Sequence, residues 1–141
     1  MYHIALCDDD LHYIEYLKKL LIGRVGMNSE EVLFYEYTSG EELVSDFKQN
    51  IPYHLLILDM EMKQLDGDDT AREFRRKYPE ALLVFCSGER QPTVKSFEAN
   101  AYRYLLKSYG SDELSQELEL SLIHISGKSR KPSAVLRMAE G

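Results

Sequence analysis

The chain has 141 residues, with 24 Asp and Glu against 17 Lys and Arg, a net charge of −7 and a pI near 5.1. That length predicts a single domain with a sizeable core. The acidic balance argues against a general nucleic-acid binder, whose phosphate contacts need a basic footprint, and the apolar runs are too short to span a bilayer.

The first apolar run, His3 to Cys7, enters Asp8, Asp9 and Asp10 directly. Acids are common at a helix start, where they face unpaired N–H groups, and this explains one of the three. Three clustered carboxylates repel one another and call for a partner or a metal. Leu11, Ile14, Leu17, Lys18, Leu21 and Ile22 then follow at three- and four-residue spacings, which predicts a helix with one apolar face. The stretch "GRVGMNSEE" breaks it, and "VLFYEYTS" reads as a second strand. Ser39 and Glu42 have the capping-box spacing for a helix near 40–49.

"YHLLILDME" is apolar on both faces, as expected of a parallel strand covered by helices. A loop through Gly67 leads to a helix that ends at Pro79. "ALLVFCS" is the fourth strand, with a short helix after Pro92, and "AYRYLLK" is the fifth. A final helix carries Leu114, Leu118, Leu122 and Ile125 on one stripe. Alternating strands and helices predict an α/β fold with a parallel sheet, right-handed crossovers and helices on both faces. Cys7 and Cys86 read as buried thiols without a disulfide framework, and Asp8 to Asp10 interrupt any signal peptide. The expected compartment is the cytoplasm.

After Ile125 the character changes, and the domain is read as 1–126. Residues 127–141 carry Lys128, Arg130, Lys131 and Arg137 against Glu140, a local charge of +3. They read either as a solvated tail or as the start of a linker to a further domain.

The chemistry gathers where strands end: Asp8 and Asp9, Asp59, Ser87 and Lys107. In an open parallel sheet these ends share one edge, where ligands bind. Carboxylates supply oxygen ligands for a Mg²⁺-sized cation, Lys107 a charge for a phosphoryl oxygen, and Ser87 a hydroxyl donor. Singly, Asp59 could terminate its strand, Ser87 bond its own turn and Lys107 be solvated. Jointly they describe phosphoryl chemistry, with one Asp as a candidate nucleophile.

These segments resemble the receiver domains of two-component response regulators over about residues 2–125. "IALCDDD" places Asp8 and Asp9 in the family's metal pocket, and "LLILDMEMKQLDG" makes Asp59 the phosphoacceptor, with the Glu61 backbone carbonyl offered to the metal. "LLVFCSG" puts Ser87 at the family's hydroxyl position, and "YRYLLKS" puts Lys107 at its lysine. The resemblance implies a doubly wound, flavodoxin-like (CheY-like) fold with strand order 2-1-3-4-5. It further implies Mg²⁺ (or Mn²⁺) as cofactor, a sensor histidine kinase as partner, and slow self-dephosphorylation in place of turnover of an external substrate. Lys63 and Ser108 stand where the family commonly has proline. A cis peptide before a non-proline residue costs about 2.5–4 kcal/mol, which weighs against one at Ser108.

Period two puts Tyr104 and Lys107 on opposite faces of the fifth strand, so Lys107 reaches the pocket while Tyr104 faces the last helices. The resemblance makes Tyr104 the switch partner of Ser87, with Tyr102 the rival aromatic. It also suggests a partner or homodimer surface on the last two helices and strand five, where Leu120 and Ile123 mix with acids. The cysteine before the acids, the "YLLK" strand and the basic exit look most like the subgroup joined to a LytTR-type DNA-binding domain. Such a domain would act on transcription through its separate effector, without touching DNA itself. Two other readings compete. One is a receiver-like module that is not phosphorylated. The other is an Asp-nucleophile phosphatase, which would normally show a second Asp where Glu61 stands. A nucleotide-binding fold would need a Gly-rich turn in place of "CDDDLH".

Overall fold

The computed structural model describes residues 1–63, 65–88, 94 and 98–126. Five parallel strands, β1 (Tyr2–Cys7), β2 (Val32–Tyr37), β3 (Leu55–Asp59), β4 (Leu82–Ser87) and β5 (Arg103–Leu106), form one sheet in the order β2-β1-β3-β4-β5. This is the expected order. The helices are α1 (Leu11–Lys19), α2 (Gly40–Ser45), α3 (Gly67–Lys77) and α4 (Ser111–Ser126). Most of the short helix expected after Pro92, and all of the basic segment 127–141, lie outside the described residues. Among the described residues no helix is long and apolar enough to cross a membrane.

Alternation along the strands builds two cores, one on each face. Ile4, Leu6, Leu55, Ile57, Leu82, Val84 and Leu105 pack under α1 and α4, against Ile14, Leu17, Leu114, Leu118, Leu122 and Ile125. Ala5, Cys7, Leu56, Leu58, Leu83 and Phe85 pack under α2 and α3, against Leu43, Ala71 and Phe74. Both faces are therefore apolar and dry, which is why the inner strands read as continuous hydrophobic runs.

Helix starts follow the sequence closely. Asp10 caps α1 by accepting from the His12 N–H at 3.0 Å, Ser39 caps α2 from Glu42 at 3.1 Å, and Asp66 caps α3 from Asp69 at 2.9 Å. Glu42 Oε1 returns to the Thr38 N–H at 3.3 Å, the reciprocal half of a capping box shifted by one residue. Gly67 lets α3 begin against the end of β3, because a Cβ there would stand 2.5 Å from Met60 Cα.

Three local expectations are corrected. The first helix does not stop at Ile22 but widens into a π-turn over Leu20–Arg24, with the Val25 N–H on the Leu20 carbonyl at 2.8 Å. It ends at Gly26, whose φ of +85° suits glycine, and the Met27 N–H closes on the Leu21 carbonyl. Leu11, counted in the apolar face, is 57 % exposed, since the first turn of α1 overhangs the end of β1. The segment 40–49 is one α-helical turn and a half followed by a 3₁₀ turn over Asp46–Gln49.

Arg75 ties the far end of α3 to two loops. Its guanidinium donates to the carbonyls of Tyr78, Pro79 and Ala81 before β4, and to Ala99 and Asn100 before β5, at 2.7 to 3.2 Å. The planar fork matches this array, whereas a lysine ammonium cannot reach both loops. Arg75→Lys is expected to lower stability by about 2–3 kcal/mol, seen as a lower urea midpoint with an unchanged slope.

Candidate functional site

Backbone hydrogen bonds continue one residue past the strands and fix the site's side chains. The Asp8 N–H donates to the Tyr37 carbonyl at 2.9 Å, Met60 to Cys86 at 3.1 Å, and Lys107 to Ser87 at 2.7 Å. Asp8, Asp59 and Lys107 carry on the strand alternation of the α1 face, so they converge at the carboxyl edge of the sheet. Asp8, Asp9 and Asp59 each offer a carboxylate oxygen, all within 4.8 Å of one another.

Asp8 and Asp59 are 3 % and 2 % exposed, whereas Asp9 is open to solvent. Burial of a carboxylate is unfavourable unless its oxygens are bonded. Asp8 Oδ1 accepts from the Asp10 N–H at 2.9 Å, and Oδ2 from Lys107 Nζ at 2.8 Å. Asp59 Oδ1 accepts from the Glu61 N–H at 3.0 Å, and its Oδ2 is 3.6 Å from the same ammonium. Burial pushes the Asp59 carboxyl up to about 6, against the Glu61 N–H, which favours its ionised form; the neighbouring Asp8 raises it further. Burial opposes the charge on Lys107, but Asp8 and Asp59 outweigh it and leave the ammonium's pKa raised. Three carboxylates against one ammonium leave negative charge over. An all-oxygen donor set with excess negative charge fits a hard divalent cation, which keeps several waters and needs few protein ligands.

Ser87 is fully buried at the end of β4 and donates to Glu61 Oε1 at 2.7 Å. Sequence reasoning assigned Glu61 only its backbone, and no spacing rule shows that its carboxylate turns back to the hydroxyl. The Lys107–Ser108 peptide is trans, as no cis bond occurs among the described residues. Lys107 stands one residue beyond β5, not within it.

Tyr104 needs a correction. It packs with Phe85 at 6.0 Å between ring centroids, in the core under α2 and α3, whereas α4 covers the other face. The opposite-face relation to Lys107 holds, but the layer that Tyr104 meets here is not the final helix. Tyr102 lies ahead of β5, escapes its alternation, and packs instead against His124 of α4, with ring centroids 4.6 Å apart and planes tilted by 37°. Tyr13, absent from the sequence reading, lies with its ring 4.7 Å from Lys107 Nζ. Its position on the first turn after the acidic run was the available signal, though an aromatic there reads as ordinary helix packing.

Comparison with known proteins decides the family. The model of the response regulator receiver domain matches residues 4–119. The chain belongs to this family. Among its relatives, transcriptional regulatory protein RprY of Bacteroides fragilis is 27 % identical over 139 residues, covering 97 % of this chain and 56 % of RprY. Sensory transduction protein LytT of Enterococcus faecalis is 26 % identical, covering 83 % of this chain and 46 % of LytT. The chain thus spans about half the length of these two relatives. The structure of response regulator protein TrrA from Thermotoga maritima, solved in complex with Mg²⁺–BeF, is 28 % identical with a TM-score of 0.69, covering 86 % of this chain and 99 % of TrrA. The receiver identity, the five-stranded fold and the acidic cluster together support phosphorylation-activated signalling.

If the cluster holds a divalent cation, Mg²⁺ at ten times its Kd raises stability by about 1.4 kcal/mol, seen as a higher Tm. In Asp9→Asn the Mg²⁺-dependent shift is expected to shrink several-fold at the same concentration. Because Asp9 is exposed, the metal-free Tm should fall by little or rise. An unaltered Mg²⁺ response would remove Asp9 from the ligand set.

Proposed function

We propose that Asp59 accepts a phosphoryl group from a phosphohistidine of the partner kinase. The observation that carries this reading is the gathering of Asp8, Asp9 and Asp59 oxygens within 4.8 Å of one another, with the Lys107 ammonium against Asp8 and Asp59. An Asp59 carboxylate oxygen attacks phosphorus in line, the new O–P bond forms as the N–P bond to imidazole breaks, and the leaving nitrogen keeps the electron pair. Mg²⁺ (or Mn²⁺), held by Asp8, Asp9, Asp59 and the Glu61 backbone carbonyl, would supply neutralising charge for the phosphoryl oxygens. Lys107, already 3.6 Å from Asp59, stabilises the charge that develops there. Hydrolysis later frees Asp59, so the domain acts on itself and not on an external substrate.

Ser87 gives the output. In this reading its hydroxyl leaves Glu61 for a phosphoryl oxygen, and the space around β4 changes for Tyr104, which meets Phe85 two residues before Ser87. The response appears on β5 and the last helices, where Leu120 and Ile123 are 42 % and 38 % exposed, as a partner or homodimer surface. We place the domain, residues 1–126, ahead of an effector joined through the basic segment 127–141, and acting in the cytoplasm. An effector that binds DNA fits relatives such as RprY, named as a transcriptional regulator. The LytTR-type subgroup rests on residue pattern, since identity to LytT does not exceed identity to RprY.

Intact mass after incubation with acetyl phosphate and Mg²⁺ tests the acceptor: one adduct in wild type, lost in Asp59→Asn. An undiminished adduct in Asp59→Asn would move the site, and none in wild type would favour a module that is not phosphorylated. For the relay, Tyr104→Ala is expected to form the adduct yet lose the phosphorylation-dependent shifts of α4 resonances. Normal shifts would make Tyr104 core packing only.

A further inference from the structure

Tyr13 has no role in the transfer described above, yet it lies against the ammonium that the transfer uses. Its ring centroid is 4.7 Å from Lys107 Nζ, inside the range over which a ring face attracts a cation. The Tyr13 backbone N–H donates to the Asp10 carbonyl at 3.1 Å, tying the residue to the cap of α1, and two further contacts hold its side chain. Its hydroxyl is 3.2 Å from Cys86 Sγ, and Cys86 is the β4 residue paired with Asp59. Tyr16 packs beside it at 5.8 Å between centroids. The aromatic face is thereby referenced to the same strand pair that carries Asp59 and Ser87.

The carboxylates hold Lys107 unequally, with Asp8 at 2.8 Å and Asp59 at 3.6 Å. Asp8 is also a ligand in the proposed metal site. With a divalent cation bound there, the charge of Asp8 would be neutralised and the shorter of the two Lys107 ion pairs weakened. A lysine is a point charge on a flexible stem, so an ammonium released in this way drifts toward water. A ring face is uncharged, and its attraction for the ammonium does not depend on which carboxylate the metal has claimed.

Resting on the phosphoacceptor reading, we propose that Tyr13 is a positioning residue, whose ring face keeps the Lys107 ammonium beside Asp59 when metal occupies the site. The hydroxyl orients the ring through Cys86, while the ring itself acts on Lys107. Removing the aromatic face should therefore slow phosphoryl transfer, and removing the hydroxyl alone should matter little.

The test compares wild type, Tyr13→Phe and Tyr13→Leu. The rate of adduct formation is measured with acetyl phosphate and saturating Mg²⁺, and the Lys107 ε-methylene proton shift is read by NMR before phosphodonor is added. Tyr13→Phe should label within about twofold of wild type, and Tyr13→Leu about 3- to 30-fold more slowly. The ring-current shift of the lysine protons should persist in Tyr13→Phe and vanish in Tyr13→Leu. If Tyr13→Leu fails to fold, Tyr13→Met removes the ring with a longer apolar chain and carries the same expectation. Labelling of the ring-less variant at the wild-type rate overturns the proposal and leaves the phosphoacceptor reading standing. So does a Tyr13→Phe protein as slow as the ring-less one, which would assign the effect to the hydroxyl. Absence of an adduct in wild type is the separate failure of the phosphoacceptor reading, and the positioning role falls with it even where the ring-current shift is present.

Discussion

The structure depends on keeping two carboxylates buried beside a single ammonium. Like charges about 4 Å apart repel by about 4 kcal/mol at the effective dielectric near a protein surface, and burial adds to that. Asp8 and Asp59 are nonetheless placed at the ends of β1 and β3, adjacent strands with neighbours on both sides. Two dry cores, one on each face, supply the stability that permits this. The pinned backbone at Asp8, Met60 and Lys107 prevents the carboxylates from relaxing outward. Each carboxylate also spends an oxygen on a backbone N–H two residues ahead, Asp8 on Asp10 and Asp59 on Glu61. That repeated bond keeps both side chains folded over the strand ends. Electrostatic strain of this kind would be relieved by the proposed cation and altered by the proposed phosphoryl group.

Much of this was legible in the sequence, because the relevant rules are local. Alternation within β1, β3 and β4 marks both faces as buried, and the strand ends identify the edge where Asp8, Asp59, Ser87 and Lys107 meet. The cap at Ser39 follows from its spacing to Glu42, and an acid at the start of the first helix from the run Asp8 to Asp10. What escaped depends on partners distant in sequence. The π-turn at Leu20–Arg24 keeps Leu20 and Leu21 buried, so the hydrophobic spacing alone does not reveal that the hydrogen bonding has widened. Period two separates Tyr104 from Lys107, but which helical layer covers which face follows from the connections between strands. Tyr102 shares Tyr104's parity only if the strand extends to it, and β5 begins one residue later. The Glu61 carboxylate and the Tyr13 ring enter the site by side-chain direction, which no spacing encodes.

The end of β4 touches both faces of the sheet. Cys86 and Ser87 are adjacent, so they point to opposite layers. Cys86 meets the Tyr13 hydroxyl under α1, with burial pushing its thiol up to about 11, so it stays a neutral packing group there. Ser87 holds Glu61, and Phe85, two residues back on the same side, holds Tyr104. In the proposed switch, a change at Asp59 would therefore have a neighbour on each face, Tyr13 through Cys86 and Tyr104 through the Ser87 side of β4.

The resting bond between Ser87 and Glu61 sets the scale of the proposed switch. A hydrogen bond to a charged acceptor is worth about 1.5–3 kcal/mol net, and a phosphoryl oxygen must exceed it to draw the hydroxyl away. Each 1.4 kcal/mol of difference shifts the populations about tenfold, so a bond of this strength would keep the switched form below about 10 per cent before phosphorylation. The phosphoryl group gains on two counts, since it carries more negative charge than the Glu61 carboxylate and stands beside the Lys107 ammonium. Glu61 is then left without its serine donor, but it lies at the sheet's exposed edge, where water can take the place of Ser87. The bond is thus strong enough to hold the resting state and replaceable enough to release it. A fully buried acceptor in place of Glu61 would make the same step far more costly.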